Sequence, residues 1–168
     1  ETVVTPTVAS SLNKLRQLAQ GAYYMQEGEE RVVREFHELK LDALETLLDD
    51  LDGDPLFCLT AFKFDVERIS RRLNRAVPYI GSGTSAAQGA AWCRLFGAGG
   101  IPLLAGHPQS VAHGVDGLQR SCKNVCWYGM TWSWEDYFQG NLRIVRQGSK
   151  ADQVNIYQIL LDCSIEKA

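Results

Sequence analysis

The sequence predicts an α/β fold, a three-layer, mostly parallel sheet of about five strands preceded by two helices. After residue 54, short apolar runs alternate with stretches of helical periodicity, a pattern typical of parallel strands joined by right-handed crossovers. The runs are almost continuously hydrophobic, which indicates strands covered on both faces. A chain of 168 residues, 45% hydrophobic, is also long enough to form a buried core.

Composition and charge exclude several classes of protein. A net charge of −3 with 22% charged residues argues against intrinsic disorder and against a generally polybasic nucleic-acid binder, although it leaves room for a local basic face. No apolar run approaches the ~20 residues of a membrane span, so we expect no membrane association. The sequence opens at Glu1 with no initiator Met, basic segment or apolar core. We therefore expect no secretory precursor, and a piece of a longer protein.

The first 53 residues predict an extended lead-in and two helices. The first helix begins near Leu12, where Ser10 or Ser11 can cap it, and the second runs from about residue 31 to 51 along a leucine stripe. The DGDP segment at 52–55 ends the second helix, because Gly tolerates a left-handed cap and Pro cannot continue the hydrogen-bond ladder. We therefore divide the chain into 1–53, the lead-in with its helices, and 54–168, the α/β lobe.

The remaining elements follow in order. The predicted strands are residues 56–60, 77–80, 101–105, 124–128 and 154–160, and the predicted helices are residues 65–74, 85–96 and 134–146. Ligands of open parallel sheets gather at the carboxyl ends of the strands. We therefore expect functional residues in the loops 81–85 and 106–119 and in the helix that follows Trp132.

The cysteines and histidines indicate structural roles. One of the five cysteines is left over in any full disulfide scheme, and the CxxxC pair Cys122 and Cys126 has no second pair at a zinc-site spacing. The three histidines are scattered. We therefore expect thiols in a reducing compartment and no metal site.

The segment 134–146 carries the most informative polar pattern. Gln139, Arg143 and Arg146 fall at i, i+4 and i+7 of a predicted helix, beside an apolar stripe made of Phe138, Leu142 and Val145. If that apolar stripe is packed, two guanidinium groups are held at the margin of a packed face, which suits binding of phosphate oxygens. The alternative is a surface helix with two solvated arginines.

These residues lie in a segment, QGNLRIVRQGS at 139–149, that resembles motif VI of superfamily 2 helicases, most specifically of Swi/Snf-like DNA translocases of phage or bacterial type. Further segments resemble family motifs in the family's order, from about residue 12 to the end. They are LNKLRQ at 12–17, KLDAL at 40–44 with the motif IV neighbourhood at 55–62, YIGSGTS at 79–85, motif V at 110–119, and the Trp-bearing segment at 127–134.

The resemblance implies the second, C-terminal RecA-like lobe of a motor that binds ATP and Mg²⁺ between two lobes. Arg143 and Arg146 would be the catalytic arginines, with Arg146 the preferred arginine finger, and Gln139 would seat the nucleotide. In motif V, Gly114 and Asp116 would contact nucleotide and couple its state to DNA. The chain contains no GxxxxGK[ST] and no acidic strand end, so the first lobe of the same polypeptide would hold the phosphates, and this lobe alone is expected to be inactive.

The resemblance also implies double-stranded DNA as a partner. The DNA would be contacted by Ser82, Thr84, Ser110, His113 and Trp132. Taken alone, the first three are equally typical of turns, and Trp132 is more typical of a core anchor than of a base-stacking residue. Backbone contacts of this kind position a duplex without reading its sequence.

Four arginines form a basic helix face, at i, i+3, i+4 and i+7, namely Arg68, Arg71, Arg72 and Arg75. We interpret this face as solvated or as an interlobe contact, with a salt-dependent contribution to DNA binding as the alternative.

Two other functions stay open. A catalytically inactive RecA-like interaction module would keep the fold without the chemistry, and a self-contained phosphotransferase or hydrolase would bind ATP by itself. For the leading hypothesis, the expected location is the cytoplasm of a bacterium or an infected host cell.

Overall fold

The chain alternates strands and helices over the residues that the computed structural model describes, which are 7–112, 117–120, 122–145 and 153–167. The strands are β1 (Ala22–Glu27), β2 (Glu30–Glu35), β3 (Leu56–Leu59), β4 (Tyr79–Ile80), β5 (Leu103–Gly106), β6 (Asn124–Trp127) and β7 (Asn155–Gln158). The helices are α1 (Val8–Ala19), α2 (Leu39–Asp50), α3 (Lys63–Arg72), α4 (Ala86–Gly97), α5 (Pro108–Ala112), α6 (Trp134–Leu142) and α7 (Ser164–Lys167), with a 3₁₀ turn at Leu118–Arg120.

A five-stranded sheet forms the middle layer. Its strand order is β4-β5-β3-β6-β7, and every neighbouring pair is parallel. The three central strands β5, β3 and β6 are buried along their whole length, as their continuous apolar sequence requires. The predicted α/β class with a parallel five-stranded sheet is confirmed.

Two apolar layers cover the sheet. On one face, Phe57 and Trp127 pack with Phe96 of α4 and with Ile144, which follows α6. On the other face, alternate strand residues such as Cys58 pack with leucines of α2 and with Val66 and Ile69 of α3. The period-2 alternation of strand side chains therefore separates two hydrophobic clusters, and α2, which precedes the predicted boundary at residue 53, contributes to one of them.

The N-terminal region differs from its prediction. A helix is present at α1, but Thr7 caps it, not Ser10 or Ser11. The predicted second helix begins only at Leu39, because residues 22–35 form an antiparallel hairpin. Gly28 adopts the positive φ of 61° at its turn, and the strands contain tyrosines and valines, which favour extended backbone.

The last long helix also differs from its prediction. It ends at Leu142, and Arg143 is its C-cap residue, whereas the prediction extended the helix to residue 146; Arg146 lies outside the described residues. The predicted apolar stripe is not the packed face, because Phe138 and Val145 are 49% and 42% exposed. The neighbouring stripe through Gly140, Asn141 and Ile144 is buried instead.

The arginines of the predicted basic face differ in exposure, because Arg68 is buried whereas Arg71, Arg72 and Arg75 are exposed. Arg68 is buried and donates to the backbone carbonyls of Gln20 (2.6 Å) and His37 (2.5 Å) and to Glu35. Arg71 also pairs with Glu35, and Arg72 pairs with three acids on and before α2, namely Glu38, Asp42 and Glu45. Three of the four arginines thus hold the hairpin and α2 against α3, and Arg75 is exposed.

Four of the five cysteines are buried among apolar side chains, as expected for structural thiols.

Within the described ranges, the helices are too short or too polar to cross a membrane.

Candidate functional site

A polar cavity of about 300 Å³ opens at the carboxyl edge of the three central strands. The chain leaves β3 through Ala61 and Phe62, β5 through 107–109, and β6 through 129–131, and all three exits line the cavity. The first helix closes it with Asn13 and Arg16. This is the edge at which open parallel sheets bind ligands.

Arg16 is the central cation of this cavity. One of its terminal nitrogens donates to the Met130 carbonyl at 2.7 Å. Its guanidinium carbon lies 5.0 Å from the centroid of the Trp132 ring and 5.8 Å from that of Phe62, within the range of cation–π attraction. Burial lowers the pKa of the guanidinium, and Asp65 and Glu166 oppose that shift.

His107 and Asp136 share the cavity with Arg16. Burial lowers the pKa of His107, Asp136 opposes this shift, and Arg16 adds to it. The neutral imidazole is therefore the favoured form of His107 in the folded protein at neutral pH.

A second, more apolar cavity of about 710 Å³ adjoins the first at Met130 and Thr131. Its walls include the loop around Trp132, the start of α6 at Trp134, and α7. The indoles of Trp132 and Trp134 are 52% and 74% exposed. Two large aromatic side chains are thus at least half exposed at the carboxyl edge. Neither is a buried core residue.

The helix α6 is held close to the sheet by a glycine and an asparagine. A Cβ on Gly140 would lie 3.0 Å from Trp127 Cζ2 and 3.2 Å from Leu59 Cδ1, so a side chain at this position would crowd both neighbours. One residue further, the buried Trp127 Nε1 donates to Asn141 Oδ1 at 2.9 Å. This contact fixes the rotation of α6 and leaves Gln139 and Arg143, on either side of it, half-buried.

The predicted site residues fall into two groups. His113, Gly114, Asp116 and Arg146 lie outside the described residues. The described ones, namely Ser82, Thr84, Ser110, Trp132, Gln139 and Arg143, lie in or after segments that leave β4, β5 and β6.

The loop after β4 distinguishes its two hydroxyl residues. Thr84 Oγ1 donates to the Tyr79 carbonyl at 2.6 Å, and the Thr84 amide donates to Gly81. Its donors therefore hold the loop together, whereas Ser82 is exposed beside it. Ser110, half-buried in α5, follows the neighbouring strand β5.

Sequence reasoning missed the cavity-lining roles of Arg16, His107 and Asp136. Arg16 was visible as part of LNKLRQ, but its contact lies 114 residues away at Met130. No local periodicity reports a contact of that separation.

A buried group of charges lies behind the polar cavity. Asp65 is fully buried, and one of its carboxylate oxygens accepts the Phe62 amide at 2.9 Å. Burial raises the pKa of Asp65 to about 7, and the neighbouring Lys40 and Arg68 oppose this shift. Lys40 donates to the Tyr128 carbonyl at 3.0 Å and pairs with Glu166 of α7, so these charges connect α2, β6 and α7.

Comparison with known proteins identifies the fold. No family model matches the chain. "Putative protein p41" of Acyrthosiphon pisum secondary endosymbiont phage 1 is 30% identical over 131 residues, which are 78% of this chain and 26% of that protein. The crystal structure of the C-terminal part of the Fun30 ATPase domain matches with a TM-score of 0.66 at 21% identity, over 76% of this chain and 43% of that one.

The chain therefore has the fold of the C-terminal part of an ATPase domain, as the resemblance to a second RecA-like lobe predicted. It spans about a quarter of the phage relative's length and less than half of the solved structure.

Proposed function

We propose that this chain is the C-terminal RecA-like lobe of an ATP-dependent DNA translocase or helicase of the Swi/Snf-like type. The observation that carries the proposal is the fold match to the C-terminal part of an ATPase domain. The order of the motif-like segments supports it, because the segments at 55–62, 79–85, 110–119 and 127–134 include or follow β3, β4, β5 and β6, which are neighbours in the sheet. The similarity to a phage protein agrees with the phage or bacterial type, and cytoplasmic action follows as part of the proposal.

The nucleotide part of the proposal places Gln139, Arg143 and Arg146 toward the ATP phosphates of a first lobe. Guanidinium and amide donors fit phosphate oxygens. The close packing of α6 on Trp127 fixes where Gln139 and Arg143 lie relative to the sheet. In the described part of the chain, no cluster of acidic, His or Cys side chains could hold a metal. By the resemblance, Mg²⁺ is assigned to the first lobe together with the phosphate loop, and Gly114 and Asp116 to the coupling loop.

The DNA part of the proposal uses the carboxyl-edge loops. Ser82 is exposed for a phosphate contact, Thr84 stabilises the same loop, and Ser110 follows the neighbouring strand β5. By the resemblance, His113 would add a further contact. The half-exposed Trp132 offers an indole edge and face at the adjoining loop. Such contacts position duplex DNA and are salt-dependent.

The test is ATP hydrolysis by the intact gene product with and without duplex DNA. We expect DNA to stimulate hydrolysis, and Arg146→Ala to reduce the stimulated rate by about 10³-fold or more, because an arginine finger stabilises the charge of the departing phosphoryl group. Arg143→Ala should lower the rate in the same direction. Arg75→Ala removes an exposed arginine of the same lobe and should leave the rate within about twofold.

A wild-type protein that binds DNA but hydrolyses no ATP would favour the inactive interaction module. Hydrolysis that is unaffected by Arg146→Ala would refute the assigned arginine finger.

A further inference from the structure

The loop 129–133, which carries Trp132, is held by a cation from the other end of the chain. We propose that Arg16 is a positioning residue that fixes this loop and presents the Trp132 indole at the carboxyl edge of the sheet. Its consequence for DNA binding rests on the proposed function, whereas its structural part does not.

The contacts of Arg16 are arranged for this task. The guanidinium donates to the Met130 carbonyl at 2.7 Å and lies 5.0 Å from the Trp132 ring centroid. One side chain therefore holds both the backbone of the loop and the indole two residues later. Because Trp132 is 52% exposed, the indole is held without being buried, which leaves surface for a ligand.

Arg16 is itself mounted on a fixed element. Gln17, its neighbour, is buried, and its Oε1 accepts the Tyr24 amide at 2.9 Å. At the end of α1, the Gln20 carbonyl accepts from the buried Arg68 at 2.6 Å. The helix is thus tied to both the hairpin and α3, so Arg16 extends from a rigid support to a loop.

Apart from Arg16, few hydrogen bonds among the described residues join the loop 129–133 to the rest of the lobe. The amides of Tyr128 and Gly129 donate to the Leu59 carbonyl at 3.0 and 3.1 Å, which fixes the start of the loop. At its other end, the Ser133 amide donates to Thr131 Oγ1 at 3.1 Å within the loop itself. The bond from Arg16 to Met130 joins the middle of this segment to the body of the lobe.

Lys14 provides a matched control. It is a cation on the same helix, but its Nζ donates to the Tyr24 carbonyl and lies 5.4 Å from the Tyr23 ring centroid. It therefore contacts the hairpin, so its removal perturbs α1 without touching the loop 129–133.

The first measurement uses the 168-residue chain labelled with 5-fluorotryptophan, which places a ¹⁹F label on each of four tryptophans. The Trp132 signal is assigned by its loss in Trp132→Phe. We expect Arg16→Met to shift and narrow this signal while the other three stay in place. Arg16→Lys keeps a donor for Met130 without the planar guanidinium and should give an intermediate shift. Lys14→Met should leave the Trp132 signal unmoved.

The second measurement uses duplex-stimulated ATP hydrolysis by the intact gene product. Arg16→Met should raise the DNA concentration for half-maximal stimulation by about 3- to 10-fold. Lys14→Met should not change that concentration.

An unmoved Trp132 signal in Arg16→Met would overturn the proposal altogether. A shifted signal with an unchanged DNA requirement would overturn its functional part. If the wild-type protein shows no DNA stimulation, both the proposed function and the DNA role of Arg16 are refuted. The ¹⁹F measurement still decides whether Arg16 fixes the loop.

Discussion

Gly140 controls how closely α6 approaches the sheet. Replacing it with Ala would place a methyl group 3.0 Å from Trp127 and 3.2 Å from Leu59. Relieving this crowding means moving two fully buried side chains, one of which is hydrogen-bonded to Asn141. We expect Gly140→Ala to lower the free energy of unfolding by about 1–3 kcal/mol despite its gain in helix propensity. Urea denaturation followed by circular dichroism measures this change.

Gly89 of α4 provides the matched control for Gly140. A Cβ there would meet Ile80 and Thr84 at an ordinary 3.9 Å, so Gly89→Ala should be neutral or stabilising by up to about 1 kcal/mol. Equal effects of the two substitutions would contradict the close packing of α6.

Asp65 makes stability depend on pH in an unusual direction. Its pKa is about 7 in the folded protein because of burial, against an ordinary 3.8. A raised folded pKa contributes stability that is fully present below the ordinary pKa and is lost as the pH rises through about 7. Asp65→Asn removes this dependence while keeping an acceptor for the Phe62 amide. We therefore expect the stability deficit of Asp65→Asn to shrink by about 1–2 kcal/mol between pH 5.5 and pH 8.

The Asp65 comparison must be made against wild type at each pH. Burial lowers the pKa of both His37 and His107, so these residues make stability fall as the pH drops through the range near 6.5, opposite to Asp65. Both histidines are present in the two proteins, and their contribution cancels in the difference. Parallel stability curves would show that Asp65 is ionised throughout.

At the scale of elements, the hairpin depends on one arginine of α3. Arg68 is 2% exposed and binds two backbone carbonyls and Glu35, whereas Arg71, on the same helix, is 66% exposed and binds only Glu35 among the described contacts. Arg68→Met should cost about 3–5 kcal/mol of stability, since it leaves buried acceptors without a donor. Arg71→Met should cost less than about 1 kcal/mol. Chemical denaturation of the two variants makes the comparison, and similar costs would contradict the anchoring role of Arg68.

Elements were predictable where apolar sequence reports burial directly. The continuous apolar runs of β3, β5 and β6 identified three central strands because both of their faces are covered. The hairpin was missed because its strands are only partly buried and its polar residues fit a helical pattern equally well. The packed face of α6 was assigned to the wrong stripe because Gly140 and Asn141, which do the packing, do not register as apolar.

At the scale of the whole molecule, the order of motifs predicted the class of fold, and parallel topology predicted the edge at which the candidate site is sought. The cavity itself could not be predicted, because it joins Arg16 to Met130, His107 and Asp136 across the chain. Such contacts depend on how the hairpin β1–β2 positions α1 against the carboxyl edge of the sheet, and the hairpin was not predicted. The ion pairs of the α3 arginines could not be predicted for the same reason. Their acidic partners lie on β2, on α2 and just before α2, and only the fold brings these elements next to α3.

The central claim is that this lobe supplies arginines to a nucleotide held by another lobe. The most direct test mixes the 168-residue chain with a separately produced first lobe and measures ATP hydrolysis in the presence of duplex DNA. We predict no turnover by this chain alone, turnover in the mixture, and its loss by about 10³-fold or more with Arg146→Ala. Turnover by the isolated chain, or a mixture whose rate is indifferent to Arg146, would contradict the account.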